Sequence, residues 1–184
     1  MFKKCGKIQL IIGPMFSGKS TELFRRIEKY EISKKKTILI KYTKDIRYSK
    51  KDICTHSNKK KKALSCLHLD EIEKKNINEV DVIGIDEGQF FDDLVEFSNF
   101  YADIGKTIII SALDGTFEKK PFPVIANLIP TVETILKLSA ICMICGGKAC
   151  YSKRITREME INLIGGIDKY IAVCRECFKK NLKF

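Results

Sequence analysis

Near the amino end, between an apolar run and a helix-like segment, lies a glycine-bounded loop that leaves this chain few folds to choose from. KIQLII leads into GPMFSGKS, Gly13 to Ser20, and then into TELFRRI. The GxxxxGK[ST] pattern carries its mechanism only in such a setting, where a strand delivers the loop and a helix starts directly behind it. The glycines let backbone N–H groups turn inward as an anion-binding nest, and the helix adds the positive end of its dipole. Lys19 then bridges the β- and γ-phosphates of a nucleotide, and Ser20 ligates Mg²⁺. A chance glycine turn with a surface lysine satisfies the bare pattern but not its flanks.

An acidic element supports the same reading. VIGIDEGQFF sets Asp86 and Glu87 at the carboxyl end of an apolar strand, where open α/β sheets bind ligands. A hydrophobic strand ending in Asp is the usual partner of a phosphate loop, with Asp86 holding Mg²⁺ directly or through water. Glu87 falls on the other side of the strand end and suits a general base accepting a proton from an attacking hydroxyl. The alternative is that Glu87 caps a helix beginning near Asp92.

Four β-branched runs recur, at Ile8 to Ile12, Thr37 to Ile40, Val80 to Ile85 and Thr107 to Ile110. They lack the alternation of half-exposed strands, which predicts burial on both faces. Helix-compatible segments lie between them, at Lys19 to Ile32, Leu69 to Asn76 and Asp92 to Ile104. Strand and helix in alternation predict an α/β fold, a mostly parallel sheet with helices on both faces. The texture changes near Ala140, beyond which lie five of the eight cysteines and a Gly165-Gly166 pair. The expected division is a nucleotide-binding domain over 1–139 and a small zinc-binding unit over 140–184. The Lys-rich stretch from Ser49 to Lys62 reads as a mobile loop.

Composition narrows the class further. With 184 residues, 45% apolar and 31% charged, the chain has an ordinary globular profile. The net charge of +11 would attract polyanions, but much of it sits in Lys34 to Lys36 and Lys59 to Lys62. No aromatic residues interleave those runs, so a solvated face competes with a nucleic-acid groove and is preferred. The apolar amino-terminal stretch is broken by Gln9, Gly13 and Pro14, so no export signal or membrane span is expected. A reducing, cytoplasmic setting follows, in which cysteines serve metals or stay free.

Cys142-x-x-Cys145 and Cys174-x-x-Cys177 form two knuckles, the pattern of a tetrahedral zinc site with four thiolates. One CxxC alone could be redox-active; two pairs favour zinc. With no histidine nearby and no position left for water, the site is structural. Cys5, Cys54, Cys66 and Cys150 show no ligand spacing and read as core or incidental thiols. Zinc would tie together the ends of 146–173, which contains EINLIGGIDKY, Glu160 to Tyr170. Such a clamped loop can present backbone groups to a ligand with little ordering cost, or it can be a plain hairpin with a Gly-Gly turn.

At this point GPMFSGKSTEL, KYTKDIRYS, VIGIDEGQFF, SALDGTF, the CxxC pairs and IGGIDKY together resemble the zinc-containing thymidine kinases of cellular and large-DNA-virus origin. The match runs in order from Lys7 to Phe178. The resemblance implies that Gly13, Pro14, Met15, Phe16, Ser17, Gly18, Lys19 and Ser20 bind the phosphates of ATP. Asp45, Ile46 and Arg47 would reach the phosphates or the Mg²⁺ shell, with Arg47 neutralising charge during transfer. Asp86, Glu87, Gly88 and Gln89 would border the nucleotide, with Glu87 as proton acceptor. Phe90, Leu113, Phe117 and Phe122 would wall the base, and Met15, Ser152 and Tyr170 would contact the nucleoside. Ile161, Asn162, Leu163, Ile164 and Gly165 match the lasso that holds thymine largely through its backbone. Ser152 stands where cellular members usually have Thr, which removes a methyl beside the 5-position of the base.

The implied activity is transfer of the γ-phosphoryl of ATP to the 5′-hydroxyl of thymidine, with deoxyuridine as a further acceptor. The implied cofactors are ATP, Mg²⁺ and structural Zn²⁺. The implied assembly is a homotetramer with thymidine triphosphate as feedback ligand, engaging neither nucleic acid nor membrane. Two rivals share parts of the pattern. A DNA-gripping motor ATPase would need stacking aromatics among its basic residues, and a non-catalytic zinc-ribbon module would not need Lys19, Ser20, Asp86 and Glu87 intact.

Overall fold

Four runs too apolar to sit at a surface form the middle of a six-stranded parallel sheet. The computed structural model describes residues 5–45, 52–54, 60–158, 160–161 and 164–180. Ile46, Arg47, Asn162 and Leu163 lie outside the described residues. The first strands are β1 (Lys7–Gly13), β2 (Thr37–Tyr42), β3 (Asp52–Cys54), β4 (Lys60–Lys62), β5 (Leu64–Cys66) and β6 (Val82–Ile85). They are followed by β7 (Thr107–Leu113), β8 (Thr134–Lys137), β9 (Ala140–Ile141), β10 (Lys148–Ala149), β11 (Tyr151–Arg154) and β12 (Tyr170–Val173). The helices are α1 (Lys19–Ile32), α2 (Lys74–Asn78), α3 (Leu94–Asp103), α4 (Pro123–Leu128) and α5 (Arg175–Lys179).

The sheet order is β5-β2-β6-β7-β1-β8, and every pairing within it is parallel. Consecutive residues of its central strands point to opposite cores, which is why the sequence shows no alternation. Leu10, Ile40, Ile83, Ile85 and Ile110 pack with α3 and α4 on one face. Ile11, Leu39, Val82 and Ile109 pack with Leu23, Phe24 and Ile27 of α1 on the other. Burying those three α1 side chains contributes roughly 1.5–3 kcal/mol each, so packing holds the helix. Its start is left open: the residue before it, Gly18, makes no side-chain cap hydrogen bond. The first-turn amides of α1 therefore have no capping side chain in front of them.

Three of the strands read from the sequence reappear with longer bounds, β6 starts two residues later than expected, at Val82, and β5 and β8 join the sheet at its two edges. The segment expected as a helix over 69–76 divides into a single tight turn at Leu69–Glu71 and the short α2. Leu69, Ile72 and Ile77 are all buried in one core. On a straight helix they would spread over about 140°, and an extended Ile72 (φ −74, ψ 125) brings them to the same side. Within the stretch expected as a mobile loop, β3 and β4 pair antiparallel. Ile53 is buried against the α1 face, and Lys61 makes a 2.6 Å ion pair with Glu31.

Beyond Lys137 the architecture changes to two small antiparallel pairs, β9 with β10 and β11 with β12. A separate apolar cluster forms around Ala149, Ile171, Ala172 and Val173, and Phe16 of the phosphate loop packs against it. That contact joins the glycine loop to the smaller unit. Cys66, by contrast, is a core thiol of the large unit, pushed up to about 12 by burial and then by Glu71, Asp93 and Asp70.

Candidate functional site

Parallel strands bring several carboxyl ends to one edge of the sheet, and the candidate residues collect there. The loop after β1 turns through Gly13 (φ 154) and Gly18 (φ 83). At Gly13 a Cβ would stand 2.7 Å from the Leu138 carbonyl oxygen, so the close approach requires glycine. At Gly18 the space is open, and the left-handed backbone itself sets the requirement. Pro14 accepts two hydrogen bonds on its carbonyl, from Ser17 Oγ and from Lys19 Nζ, both at 2.8 Å. Lys19 is thereby folded over the loop it serves.

The paired acids meet this loop directly. Ser20 Oγ donates to Asp86 Oδ1 at 3.2 Å across 66 positions of sequence. The same carboxylate oxygen accepts from Ser111 Oγ on β7 and from the Glu87 amide. Asp86 is buried, so three donors hold a carboxylate that would otherwise be costly to desolvate. A hydroxyl and a carboxylate at this spacing are the oxygen pair that a hard divalent cation takes.

Glu87 sits in the left-handed region (φ 55, ψ 43), a sparsely populated conformation for a side chain of this size. Its Oε2 accepts from Gln89 Nε2 at 2.6 Å, and Gln89 Oε1 in turn accepts from the Leu113 amide at 3.0 Å. The helix-cap alternative fails: α3 starts at Leu94, and the residue before it is Asp93. The strained backbone turns Glu87 into the cavity.

One cavity is lined by both halves of the expected site. From the phosphate side come Met15, Phe16, Ser17, Gly18, Lys19, Ser20, Asp45, Asp86 and Glu87. From the nucleoside side come Phe90, Leu113, Phe117, Phe122, Ser152, Ile161, Ile164, Gly165 and Tyr170. Gly13, Pro14, Gly88 and Gln89 do not line it. The first two shape the loop, Gly88 packs against Ile110 where a Cβ would stand 2.7 Å from its side chain, and Gln89 orients Glu87. Ser152 makes a long-range link, its Oγ accepting from the Met15 amide at 2.9 Å. Phe90 is held by stacking on Tyr42, with ring centroids 5.2 Å apart.

Several residues escaped the sequence reading, Thr21, Ile53, Gly115 and Gly166 of the cavity lining among them. Lys41, only 5% exposed, lines the cavity at the carboxyl end of β2, where the Asp86 amide donates to the neighbouring Ile40 carbonyl. Its place after a β-branched run, like that of Asp86, was the available signal. Thr116 also lines the cavity from the loop after β7. Ser111 opens the SALDGTF motif, but nothing local names its partner Asp86, which is set by the sheet order.

In the smaller unit the Sγ atoms of Cys142, Cys145, Cys174 and Cys177 all lie within 4.8 Å of one another. Cys145 and Cys174 stand 3.8 Å apart, against about 3.8 Å for the edge of a tetrahedron with metal–sulfur bonds of about 2.3 Å. Burial works against ionising Cys142, yet amides of Cys145, Cys174 and Ile144 outweigh it and bring that thiol down to about 6. Burial and the neighbouring thiols push Cys177 up to about 12. Four thiols so close cannot all ionise without a cation, and the set fits zinc.

Comparison with known proteins agrees with this geometry. The family model for thymidine kinase matches residues 6–178. Thymidine kinase 1 of Dictyostelium discoideum is 52% identical over 180 residues, 96% of this chain and 79% of that protein. The cytosolic thymidine kinase of Homo sapiens is 51% identical over 178 residues, 97% of this chain and 75% of its own length. The thymidine kinase of Yaba monkey tumor virus (strain VR587) is 52% identical over 180 residues, covering 98% of each chain.

Proposed function

The chain belongs to the thymidine kinase family, an ATP-dependent phosphotransferase family, and on that premise we propose how its residues divide the work. The Ser20–Asp86 hydrogen bond carries the reading, because it joins phosphate loop and acidic strand end at one cavity that the nucleoside-side residues also line. The triphosphate of ATP lies over the backbone N–H groups of 16–20, with Lys19 swinging from the Pro14 carbonyl onto the β- and γ-phosphates. Ser20 and Asp86 would hold Mg²⁺, which supplies positive charge against the phosphate oxygens when bound.

Thymidine enters with its base between Phe90, Leu113, Phe117 and Phe122 and against the backbone of the lasso. Glu87 accepts the proton of the 5′-hydroxyl as the bond from that oxygen to the γ-phosphorus forms and the bond to ADP breaks. Lys19 stabilises the charge in flight. Arg47 is assigned the same task on the resemblance of KDIRY alone. Zinc on the four cysteines would fix both ends of the lasso.

Deoxyuridine is a further acceptor in this reading, since it keeps the edge of the base that the lasso backbone would contact. Homotetrameric assembly, feedback by thymidine triphosphate and a cytoplasmic location are part of the same proposal, on the resemblance to the family. They are checked by sedimentation, by inhibition kinetics and by localisation of the tagged chain. No helix among the described residues is long and apolar enough to cross a membrane. The test of the central reading is a panel of nucleosides with Mg·ATP, scored for ADP and monophosphate. Thymidine and deoxyuridine should turn over and deoxycytidine should not; ADP release stimulated by single-stranded DNA alone would overturn it.

A further inference from the structure

Arg154 stands behind the nucleoside cavity and is nine-tenths buried, at 9% exposure. On β11 it lies two positions past Ser152, and both side chains are buried while Tyr151 and Lys153 between and beside them are half-buried. No carboxylate among the described residues pairs with it. Its guanidinium is held by neutral groups instead. One terminal nitrogen donates to the hydroxyl of Tyr170, its cross-strand neighbour, and the other donates to the Glu158 carbonyl at 2.8 Å. Its central carbon lies 3.8 Å from the centroid of the Phe117 ring and 5.0 Å from that of Tyr170. Nε is buried and has no hydrogen-bond partner, so stacking sets the plane of the group.

These contacts reach three separate stretches of chain. Phe117 belongs to the loop after β7, Glu158 to the outgoing arm of the lasso, and Tyr170 to the end of its returning arm. Both rings line the cavity. A guanidinium can only donate, so the Tyr170 oxygen is the acceptor in their pair and the phenol proton is directed to a different atom. A buried cation lacking a counter-ion would be a poor choice for stability alone, since an apolar side chain would fill the space at less desolvation cost.

We infer that Arg154 is a positioning residue for the acceptor nucleoside. It sets the separation of the Phe117 and Tyr170 walls and the orientation of the Tyr170 hydroxyl, and it acts on turnover only through them. The inference rests on the assignment of those two walls to the nucleoside.

The experiment compares Arg154→Lys, Tyr170→Phe and the double variant in the full-length chain with bound zinc, measuring kcat, KM for each substrate and Tm. Lysine keeps the charge and the stem but cannot fork between two acceptors while stacking. Arg154→Lys should raise the thymidine KM by roughly tenfold and leave the ATP KM within about twofold. The double variant should match the more impaired single variant within about twofold, since both changes break the same unit. Independent, multiplying effects would overturn the proposal. So would a parallel rise in both KM values, or an Arg154→Lys protein that does not fold. Thymidine turnover by the parent chain, assayed alongside, separately tests the nucleoside reading: its absence would remove the substrate whatever Arg154 does.

Discussion

Replacing Glu87 by Gln should abolish most turnover while leaving the fold and the nucleotide site intact. The left-handed backbone at φ 55 is equally uncomfortable for either residue, at roughly 1–2 kcal/mol, so strain does not change. The Gln89 Nε2 donor that meets the Glu87 carboxylate at 2.6 Å can meet an amide oxygen in the same place. Gln89 stays anchored on the Leu113 amide. What disappears is the ability to take a proton. Positioned general bases contribute about 10²–10⁴ in rate, or roughly 3–5 kcal/mol of barrier. The expected result is a kcat at least about a hundredfold lower, with ATP affinity by calorimetry and Tm close to the parent. A folded variant with turnover within about threefold of the parent would remove Glu87 from that role. A large fall in Tm would reassign it to the architecture of the turn.

Two further outcomes follow from other parts of the molecule. Cys142→Ser, or stripping of metal by a strong chelator, should raise the thymidine KM well ahead of the ATP KM, because zinc on the four clustered thiols would close the base of the proposed lasso. Unchanged thymidine kinetics in a protein shown to be zinc-free would refute that link. Glu22 is held at about 2, against an ordinary 4.5, chiefly by hydrogen bonding to Arg25, opposed by burial and aided by Arg26. A depressed carboxyl stabilises the folded chain fully above about 4.5 and loses that contribution as pH falls toward about 2. Urea midpoints of Glu22→Gln should therefore lag the parent near neutrality and converge in acid; a gap constant with pH would refute the assignment.

How far the sequence spoke depended on whether local rules and tertiary position agreed. They agreed at residues 7–32, where an apolar run, left-handed glycines and an amphipathic helix each pointed to the same unit. They also agreed at Asp86 and Glu87, since a strand ending in acids already names its place on a parallel sheet. They parted at β8, where Thr134–Lys137 is largely exposed and becomes a strand only by pairing with β1. The three residues of β5 likewise owe their conformation to β2. Between Leu69 and Asn78 the demand that three separated apolar residues face one core broke a helix that local composition would have continued. At the site, residue types were legible and partnerships were not. Ser111 on Asp86 and Arg154 on Tyr170 are contacts made by strand order and register, which no local pattern states.

The hydrogen bond from the Met15 amide to Ser152 has an evolutionary edge. In the site proposed above, one hydroxyl would serve two masters, a wall beside the incoming base and a strut under the phosphate loop. Mutants selected for altered tolerance of base analogues cannot explore position 152 freely, because any residue without an oxygen there loosens the phosphate grip in the same stroke. Serine and threonine are the exchange that leaves the strut standing, so resistance to bulky analogues should arise more readily at the aromatic walls.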